Sequence, residues 1–267
     1  MFSIFPFLKP LIHITLIIRM AKRDVSSRYR GSILGLLWSV ITPILMLAIY
    51  TFVFSEIFKV RWGGLDYGPG EFALRLFSGL IVFNFFSENI NRSPNLILEN
   101  TSFVKKVVFP LEILPVTATL SALFSAMTST GVLLIGLLLI GKLPGWPIFC
   151  LPLIWIPFVF LTWGFSWFLS GLGVYLRDLR HIVATGVTIL LFLSPIFYPV
   201  SALPESMRRI IYLNPLTFFI EQNRAIFIEN RPPETIPLIV AAAGACFSAA
   251  IGYRLFEKMK KGFADVI

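Results

Sequence analysis

The hydrophobic pattern of this chain consists of long apolar runs separated by short polar segments. A helix of about 20 apolar residues, rising about 1.5 Å per residue, crosses a membrane hydrocarbon core of about 30 Å. The runs therefore predict six transmembrane helices, at about residues 33–54, 72–90, 113–140, 146–176, 182–197 and 236–256. The predicted fold class is an all-α polytopic membrane protein.

The amino-terminal segment has a different periodicity from the predicted spans. Its apolar residues recur every three or four positions, whereas Arg19, Lys22 and Arg23 cluster on another helical face. This pattern is typical of an amphipathic helix that lies in the membrane surface, although it also fits a solvated cytoplasmic helix docked on the protein's own loops. We predict a cytoplasmic interfacial segment at residues 1–32, followed by a single six-span transmembrane domain at residues 33–267.

Two later segments are too polar to be spans. Residues 91–112 are amphipathic, and residues 194–234 are too charged for one span but too apolar for an ordinary loop. In the second segment Asn214-Pro215 is a helix start signal, which predicts short helices at about residues 204–213 and 215–228. Non-helical backbone at membrane depth must be covered by protein or water. We therefore place these helices at the outer face, partly re-entrant around a cavity; a membrane-surface loop is the alternative.

Composition and charge support membrane insertion. The chain has 57% hydrophobic residues, 14% charged residues and a mean hydropathy of +0.82, far from the values of a soluble domain. Its net charge of +9 does not require nucleic acid, because most of the 23 Lys and Arg residues fall in predicted cytoplasmic segments. This bias predicts that both termini are cytoplasmic. Arg75 falls within the second span, close enough to its outer end to snorkel into the headgroups, and is expected to have a packing or solvation role.

The sequence lacks the motifs of an enzyme. No Gly-x-x-x-x-Gly-Lys-Ser/Thr phosphate loop occurs, so the chain is not by itself a P-loop ATPase. Its two cysteines and two histidines have no metal-ligand spacing, and no Ser-His-Asp arrangement or intramembrane proton relay is evident. We predict no catalytic residue, no metal and no cofactor bound by this chain.

Several motifs, in their order along the chain, resemble those of one known family. They are RYRGSILG at residues 28–35 with Trp38 and Pro43, FVKK at 103–106 with Phe109-Pro110 and Leu114-Pro115, SPIFYP at 194–199, and NPLT at 214–217. Together they resemble the permease subunit of polysaccharide exporters of the ABC type 2 class. The resemblance implies a homodimeric six-span permease and two separate ATPase subunits, which bind the ATP and magnesium. It also implies export of a lipid-linked polymer (O antigen, capsule or teichoic acid) across the bacterial inner membrane.

Three candidate sites follow from the resemblance and the charge pattern. In the family the loop between spans two and three couples to the ATPase, which assigns this role to Leu96, Glu99, Phe103, Lys105, Lys106 and Phe109. Basic residues before the first span are suited to bind the phosphate of the lipid carrier, namely Arg19, Lys22, Arg23, Arg28 and Arg30. The helix break after the fifth span predicts an outer gate or channel at Phe197, Tyr198, Asn214 and Phe218.

Two other functions stay open from the sequence. A carrier or channel that works without ATP would have similar spans. A membrane enzyme acting on lipid-linked sugars, such as a glycosyl or acyl transferase, would need an acid or a histidine near the membrane face, for which the candidates are Asp24, Asp178 and His181. The leading prediction is the transmembrane permease subunit of an ATP-driven exporter of lipid-linked polysaccharide.

Overall fold

The computed structural model describes residues 5–53, 69–104 and 109–266. Within these ranges the backbone forms helices and no strand, which confirms the predicted all-α class. The α-helices are α1 (Ile14–Arg28), α2 (Trp38–Thr51), α3 (Pro69–Arg92), α4 (Thr101–Val104), α5 (Ile113–Leu139), α6 (Leu151–Tyr175), α7 (Leu179–Leu193), α8 (Glu205–Leu213), α9 (Pro215–Phe227), α10 (Thr235–Lys260) and α11 (Phe263–Val266).

Several of these helices have the length and composition of membrane spans. The predicted first and fifth spans coincide with short apolar helices, Gly35–Thr51 and Leu179–Leu193. The predicted second, third, fourth and sixth spans coincide with segments long and apolar enough to cross a membrane: Gly70–Asn95, Ile113–Leu139, Trp146–Tyr175 and Thr235–Lys260. The polytopic membrane class is confirmed, and the number of six crossings stays a prediction.

Helix α3 lies at the centre of the bundle. In its most apolar window 78% of residues are buried inside the protein, against 33% for α5, 33% for α6 and 17% for α10. Helices α2, α5, α6, α7 and α9 all pack against it, so protein surrounds α3 on most sides. One end of α3, at Arg92, contacts α1, and the other end, at Arg75, contacts the region of α9. We call these the proximal and the distal end of the bundle.

The amino-terminal helix α1 docks on the proximal end. Ile17 and Ala21 are buried, and the Ser121 hydroxyl of α5 donates a hydrogen bond to the Ala21 carbonyl (3.4 Å). The opposite face exposes Ile18 beside Arg19, a composition suited to a membrane surface. Helix α1 is therefore packed on the protein on one side and amphipathic on the other. The predicted domain boundary between residues 32 and 33 stays a prediction.

The first apolar helix begins later than the sequence pattern predicts. The prediction began at residue 33, but the α-helix α2 begins at Trp38. Gly31 and Gly35 have positive φ angles of 84° and 50°, which glycine adopts readily because it lacks a Cβ atom. The predicted start was too early because it was placed where the apolar run begins. An α-helix also needs helical φ angles at every residue, and Gly35 does not have one.

Helices α6 and α10 approach each other so closely that their backbones touch. A Cβ atom added at Gly252 of α10 would overlap the carbonyl oxygen of Gly164 of α6. Small residues permit this approach, and close van der Waals packing is a main source of association between membrane helices. Glycine at position 252 is therefore a requirement of the α6–α10 interface.

We predict that Gly252→Ala destabilises the protein, because the added methyl group has no space against a backbone oxygen. Overpacking of this kind costs about 1–3 kcal/mol, so the thermal unfolding midpoint in detergent should fall by several degrees. Gly244→Ala is the matched control on the same helix, since among the described residues no atom lies within 4 Å of a Cβ at that position. Equal midpoints for the two variants would contradict the assigned contact.

Candidate functional site

The proximal end of the bundle is held by a network of ion pairs between α1 and α3. The Arg92 guanidinium donates two hydrogen bonds to the Asp24 carboxylate, at 2.7 and 2.6 Å. Arg28 pairs with the same carboxylate at 3.2 Å and also with Glu88 of α3. Bidentate pairing of a guanidinium with a carboxylate fixes geometry as well as charge. These contacts set the position of α1 on the end of α3.

Asp24 is the shared acceptor of this network. Burial raises the pKa of its carboxyl. The Arg92 hydrogen bonds and the charges of Arg92 and Arg28 lower the pKa by more than burial raises it, so the pKa lies below its ordinary value. The carboxylate consequently stays ionised at neutral pH. The sequence signal for this role is that Asp24 is the one acid within a basic stretch from Arg19 to Arg30, although its partner Arg92 lies 68 residues away.

The predicted coupling segment between α3 and α5 is anchored at both ends. At its start the hydroxyls of Ser93 and Ser166 share a hydrogen bond of 2.7 Å, and a Cβ atom at Gly173 of α6 would overlap the Pro94 carbonyl. At its end the Trp167 indole donates to the Glu112 carbonyl at 3.0 Å. A force applied to this segment would therefore reach α6 directly.

Between these anchors the coupling residues lie in distinct environments. Leu96 is buried, Glu99 is exposed and Phe103 is half-buried. The ring of Phe103 stacks on that of Phe109 with centroids 4.2 Å apart and an interplanar angle of 10°. Lys105 and Lys106 lie outside the described residues. The described part of the segment thus has buried residues on one side and exposed residues on the other.

The basic residues predicted to bind lipid phosphate divide into two groups. Arg28 pairs with Asp24 and Glu88, so its charge is largely neutralised within the protein. The other four residues lie on or just after α1 and, like Arg28 itself, are exposed: Arg19, Lys22, Arg23 and Arg30. The structure leaves these four accessible to an anionic headgroup, while Arg28 has a clear structural role.

A groove of about 410 Å³ with both polar and apolar lining residues lies beside α3, between α2 and α5. Asn84 and Glu88 of α3 line it together with Ser125 and Ser129 of α5. Trp38 and Tyr50 of α2 complete the wall, among other residues. Hydroxyl, amide and aromatic groups of this kind are expected where a membrane protein faces water or a polar solute.

The distal end contains the two short helices that the sequence predicts. Helices α8 and α9 match the predicted ranges within one residue. Asn214 caps α9 by accepting a hydrogen bond from the Leu216 N–H at 3.0 Å, and its amide donates to the Ser194 hydroxyl at 2.9 Å. The predicted cap at Asn214 is therefore confirmed, and the same side chain ties the start of α9 to the end of α7.

The aromatic residues predicted for the outer gate lie close to this junction. The Tyr198 hydroxyl donates to the Phe192 carbonyl at 3.0 Å. Phe197 and Phe218 are partly buried against the core of the bundle, and the rings of Phe218 and Phe219 form an edge contact at 5.3 Å. The structure brings all four predicted gate residues to the distal end, around the break between α7 and α8.

Arg75 has a different environment from the one predicted. Instead of snorkelling into headgroups it is only 5% exposed, and it pairs with Glu71 at 2.9 Å and with Glu229 at 3.3 Å. The snorkelling geometry was inferred only from the depth of Arg75 along the span. The acidic partner Glu229 comes from the loop after α9, far away in sequence.

A second buried arginine, which the sequence analysis did not identify, fixes the distal helices. Arg224 of α9 is 4% exposed and donates to the Pro195 and Ile196 carbonyls at 3.0 and 3.3 Å and to the Arg75 carbonyl at 3.3 Å. It therefore joins α9, α3 and the break after α7. An arginine three residues before the end of a short amphipathic helix gives no sequence signal for such burial.

The described residues offer no grouping of three or more His, Cys, Asp or Glu side chains that could share a metal ion. The chemistry available at both ends of the bundle is ion pairing and hydrogen bonding.

Comparison with known proteins places the chain in a family. The profile of the ABC-2 type transporter membrane family matches residues 15–228, which is most of the chain, and the chain belongs to this family. It is therefore a membrane transport protein of the ABC-2 class, in agreement with its apolar helices.

Individual relatives match over nearly the full length. O-antigen export system permease proteins RfbA of Myxococcus xanthus and of Klebsiella pneumoniae are each 28% identical over 254 residues, covering 94% of this chain and 95% of the relative. The polysialic acid transport protein KpsM of Escherichia coli is 23% identical over 236 residues, covering 88% of this chain and 90% of the relative.

We predict that Asp24→Asn loosens α1 from the bundle, because it removes the charged acceptor of two guanidinium groups. Hydrogen bonds to charged groups contribute about 1.5–3 kcal/mol each, so amide hydrogen exchange in α1 should become at least about tenfold faster. Asp178→Asn, which changes an exposed carboxylate of the chain, should leave α1 unchanged. Unaltered exchange in Asp24→Asn would contradict the role of the network.

The same network predicts a pH dependence. A carboxyl whose folded pKa is lowered stabilises the folded state above its unfolded pKa of about 3.9, and this stabilisation is lost as the pH falls through the lower folded pKa. After correction for intrinsic exchange rates, protection of α1 should therefore be equal at pH 7 and pH 5. A loss of protection between these values would show that Asp24 is not held ionised.

Proposed function

We propose that this chain is the permease subunit of an ATP-driven exporter that moves a lipid-linked polysaccharide, such as O antigen, capsule or teichoic acid, from the cytoplasmic leaflet across the bacterial inner membrane. The observation that carries this proposal is the near full-length similarity to permeases named for O-antigen export and polysialic acid transport. These names refer to different polymers, so the similarity supports polysaccharide export in general and does not identify the polymer that this chain moves.

The proposed complex contains two copies of this chain and two copies of a separate ATP-binding subunit, which holds ATP and magnesium. A phosphate loop is absent from the sequence, so the energy must come from a partner. Both termini are proposed to face the cytoplasm, with the proximal end inside and the distal end outside, because Lys and Arg are concentrated at the proximal end.

We assign the coupling to the ATPase to the segment from Leu96 to Phe109. Its exposed edge offers a contact, and its two ends are fixed to α6 through Ser93 and Glu112. A movement imposed by the partner on this segment would be transmitted to α6 and, through Arg92, to α1. An ATP-independent carrier, the alternative function, would not need an exposed segment whose two ends are attached to α6.

The membrane-enzyme alternative is weakened by the surroundings of its candidate groups. Asp24 accepts from two arginines, and its lowered pKa makes it a poor proton donor. Asp178 and His181 are exposed near the start of α7, and the Nε2 atom of His181 accepts a hydrogen bond from the Arg180 guanidinium at 3.2 Å. General acid–base chemistry needs positioned groups with pKa values near the working pH.

The most direct test of the subunit assignment is co-purification. The tagged full chain, solubilised in mild detergent from its own host, should retain a soluble ATP-binding protein in a one-to-one ratio, and the complex should hydrolyse ATP. Recovery of a homogeneous, folded chain without any ATPase would contradict the assignment to an ATP-driven exporter.

We predict that Phe103→Ala uncouples export, because it removes the stacked ring of the exposed segment. Loss of an aromatic anchor at an interface typically costs about 2 kcal/mol or more, which weakens retention of the ATPase by about 30-fold or more. Phe103→Tyr should retain function, and Phe149→Ala, which removes an aromatic side chain of a residue that is 83% exposed, should have little effect. Full export by Phe103→Ala at normal expression would contradict the assignment.

We predict that Arg23→Lys combined with Arg30→Lys lowers export several-fold without changing membrane insertion. Lysine keeps the positive charge that orientation requires but lacks the bidentate fork that matches phosphate oxygens. Arg28→Lys is the comparison variant. Arg28 pairs with Glu88, so loss of its guanidinium should reduce the stability of the protein instead of acting on substrate binding. Normal insertion and full export by the double variant would mean that these arginines only set orientation.

A further inference from the structure

A polar cavity of about 580 Å³ opens at the distal end, next to the proposed gate. Pro199, which follows Tyr198 at the helix break, lines it, as do Arg208 and Tyr212 of α8 and Glu221 of α9. Its size falls within the range of roughly 300–1,000 Å³ typical of small-molecule sites. A polymer that leaves through a gate at this break would pass this cavity.

The wall of the cavity carries charges of both signs. Four arginines and three glutamates line it: Arg75, Arg208, Arg224, Arg231, Glu221, Glu229 and Glu234. An anionic headgroup would meet three carboxylates there, and a cation would meet four guanidinium groups. A group whose atoms both donate and accept hydrogen bonds can use both kinds of charge, and the hydroxyl groups of a sugar have this property.

Most of the charged groups are fixed by the protein itself, which makes the wall rigid. Arg208 donates to the Leu203 and Ser201 carbonyls at 2.8 and 2.7 Å, and Arg231 pairs with Glu229. The side-chain oxygen of Gln222 accepts from the Glu234 backbone N–H at 3.3 Å. Groups held in place in advance lose little conformational freedom when a ligand binds.

Two side chains supply the contacts that a sugar would use. The Glu221 carboxylate is half-buried at the cavity wall, and no hydrogen bond or ion pair to it is found in the part of the chain that the structure describes. A carboxylate can accept from two neighbouring hydroxyl groups. Tyr212 presents an aromatic side chain, in a residue that is 61% exposed, as an apolar platform for the C–H face of a sugar ring.

We propose that this distal cavity binds a sugar unit of the polymer as it leaves the permease. Glu221 accepts hydrogen bonds from the sugar hydroxyls, Tyr212 stacks on the ring, and Gln222 adds amide donors. The proposal rests on the proposed function, because it needs a polysaccharide as the exported substrate. It adds a binding site after the gate, separate from the basic residues that face the lipid carrier at the proximal end.

The test uses a photoreactive aromatic residue in host cells from which the gene for this chain has been deleted, so that polymer export must be restored by the variant. Tyr212→p-benzoylphenylalanine places the probe at the cavity, and Ile210→p-benzoylphenylalanine places it on the opposite face of α8. These residues are matched in exposure, at 61% and 60%, and Ile210 does not line the cavity. A third probe at Ser201 reports from the wall before α8. Adducts are detected with an antibody against the exported polymer.

We expect polymer adducts from Tyr212 and Ser201 and none from Ile210. Glu221→Gln should lower the adduct yield at both cavity positions at least about tenfold, because a charged acceptor is lost. Glu205→Gln, at an exposed position of α8 outside the cavity, should leave the yield unchanged. In cells with an inactive ATPase partner the adducts should disappear, which distinguishes exported polymer from free sugar in the medium.

Equal adducts at Tyr212 and Ile210 would overturn the cavity site, since the polymer would then pass α8 without a preferred contact. Cells that export polymer normally but give no adduct at Tyr212 or Ser201 would overturn it as well, leaving the proposed function intact. Cells in which the wild-type chain restores no polymer on the surface would instead overturn the proposed function, and the cavity site with it.

Discussion

The arrangement of this protein depends on a central helix that carries an arginine at each end. A charge in an apolar bundle must be paired or hydrogen bonded, because an unpaired one would be far too costly to bury. Helix α3 meets this constraint with Arg75 at the distal end and Arg92 at the proximal end. The partners of these arginines come from distant segments, so satisfying the two charges also fixes where the amino-terminal helix and the loop after α9 must lie.

This constraint connects the regions that we propose to act in transport. Arg92 and Asp24 hold α1, with its exposed basic residues, against the start of the coupling segment. At the other end, Glu229 and the Arg75 carbonyl link α3 to the loop after α9 and to Arg224, which in turn holds the break after α7. A helix of 24 residues transmits displacement along its axis, so the proximal and distal ends are mechanically joined.

The sequence was sufficient for features that depend on local pattern. Apolar runs located the helices, and Asn214-Pro215 predicted both the start of α9 and its cap. Features that depend on long-range pairing were not predictable in this way. Arg75 appeared to be a snorkelling residue because Glu229 lies 154 residues away, and Arg224 gave no sign of burial. The first apolar helix was placed too early because hydropathy carries no information on the positive φ angles of Gly31 and Gly35.

For the candidate sites, the sequence was more informative about the location of the segments than about the environment of each side chain. Arg28 looked equivalent to Arg30, and both are exposed, yet only the structure shows that Arg28 pairs with Asp24 and Glu88. Phe103 was assigned to the coupling segment from the sequence, and the structure adds that its ring stacks on that of Phe109. The distal cavity combines residues from α3, α8, α9 and two loops, so no single stretch of sequence predicts it.

The most direct test of this account is transport in a reconstituted system. The full chain and its ATP-binding partner would be placed in proteoliposomes with lipid-linked polymer, and polymer that reaches the far leaflet would be measured by its accessibility to an added glycosidase. The account predicts movement that requires ATP, the partner and this chain together. Equal movement without ATP, or with the partner omitted, would contradict the central claim that this chain is the permease of an ATP-driven exporter.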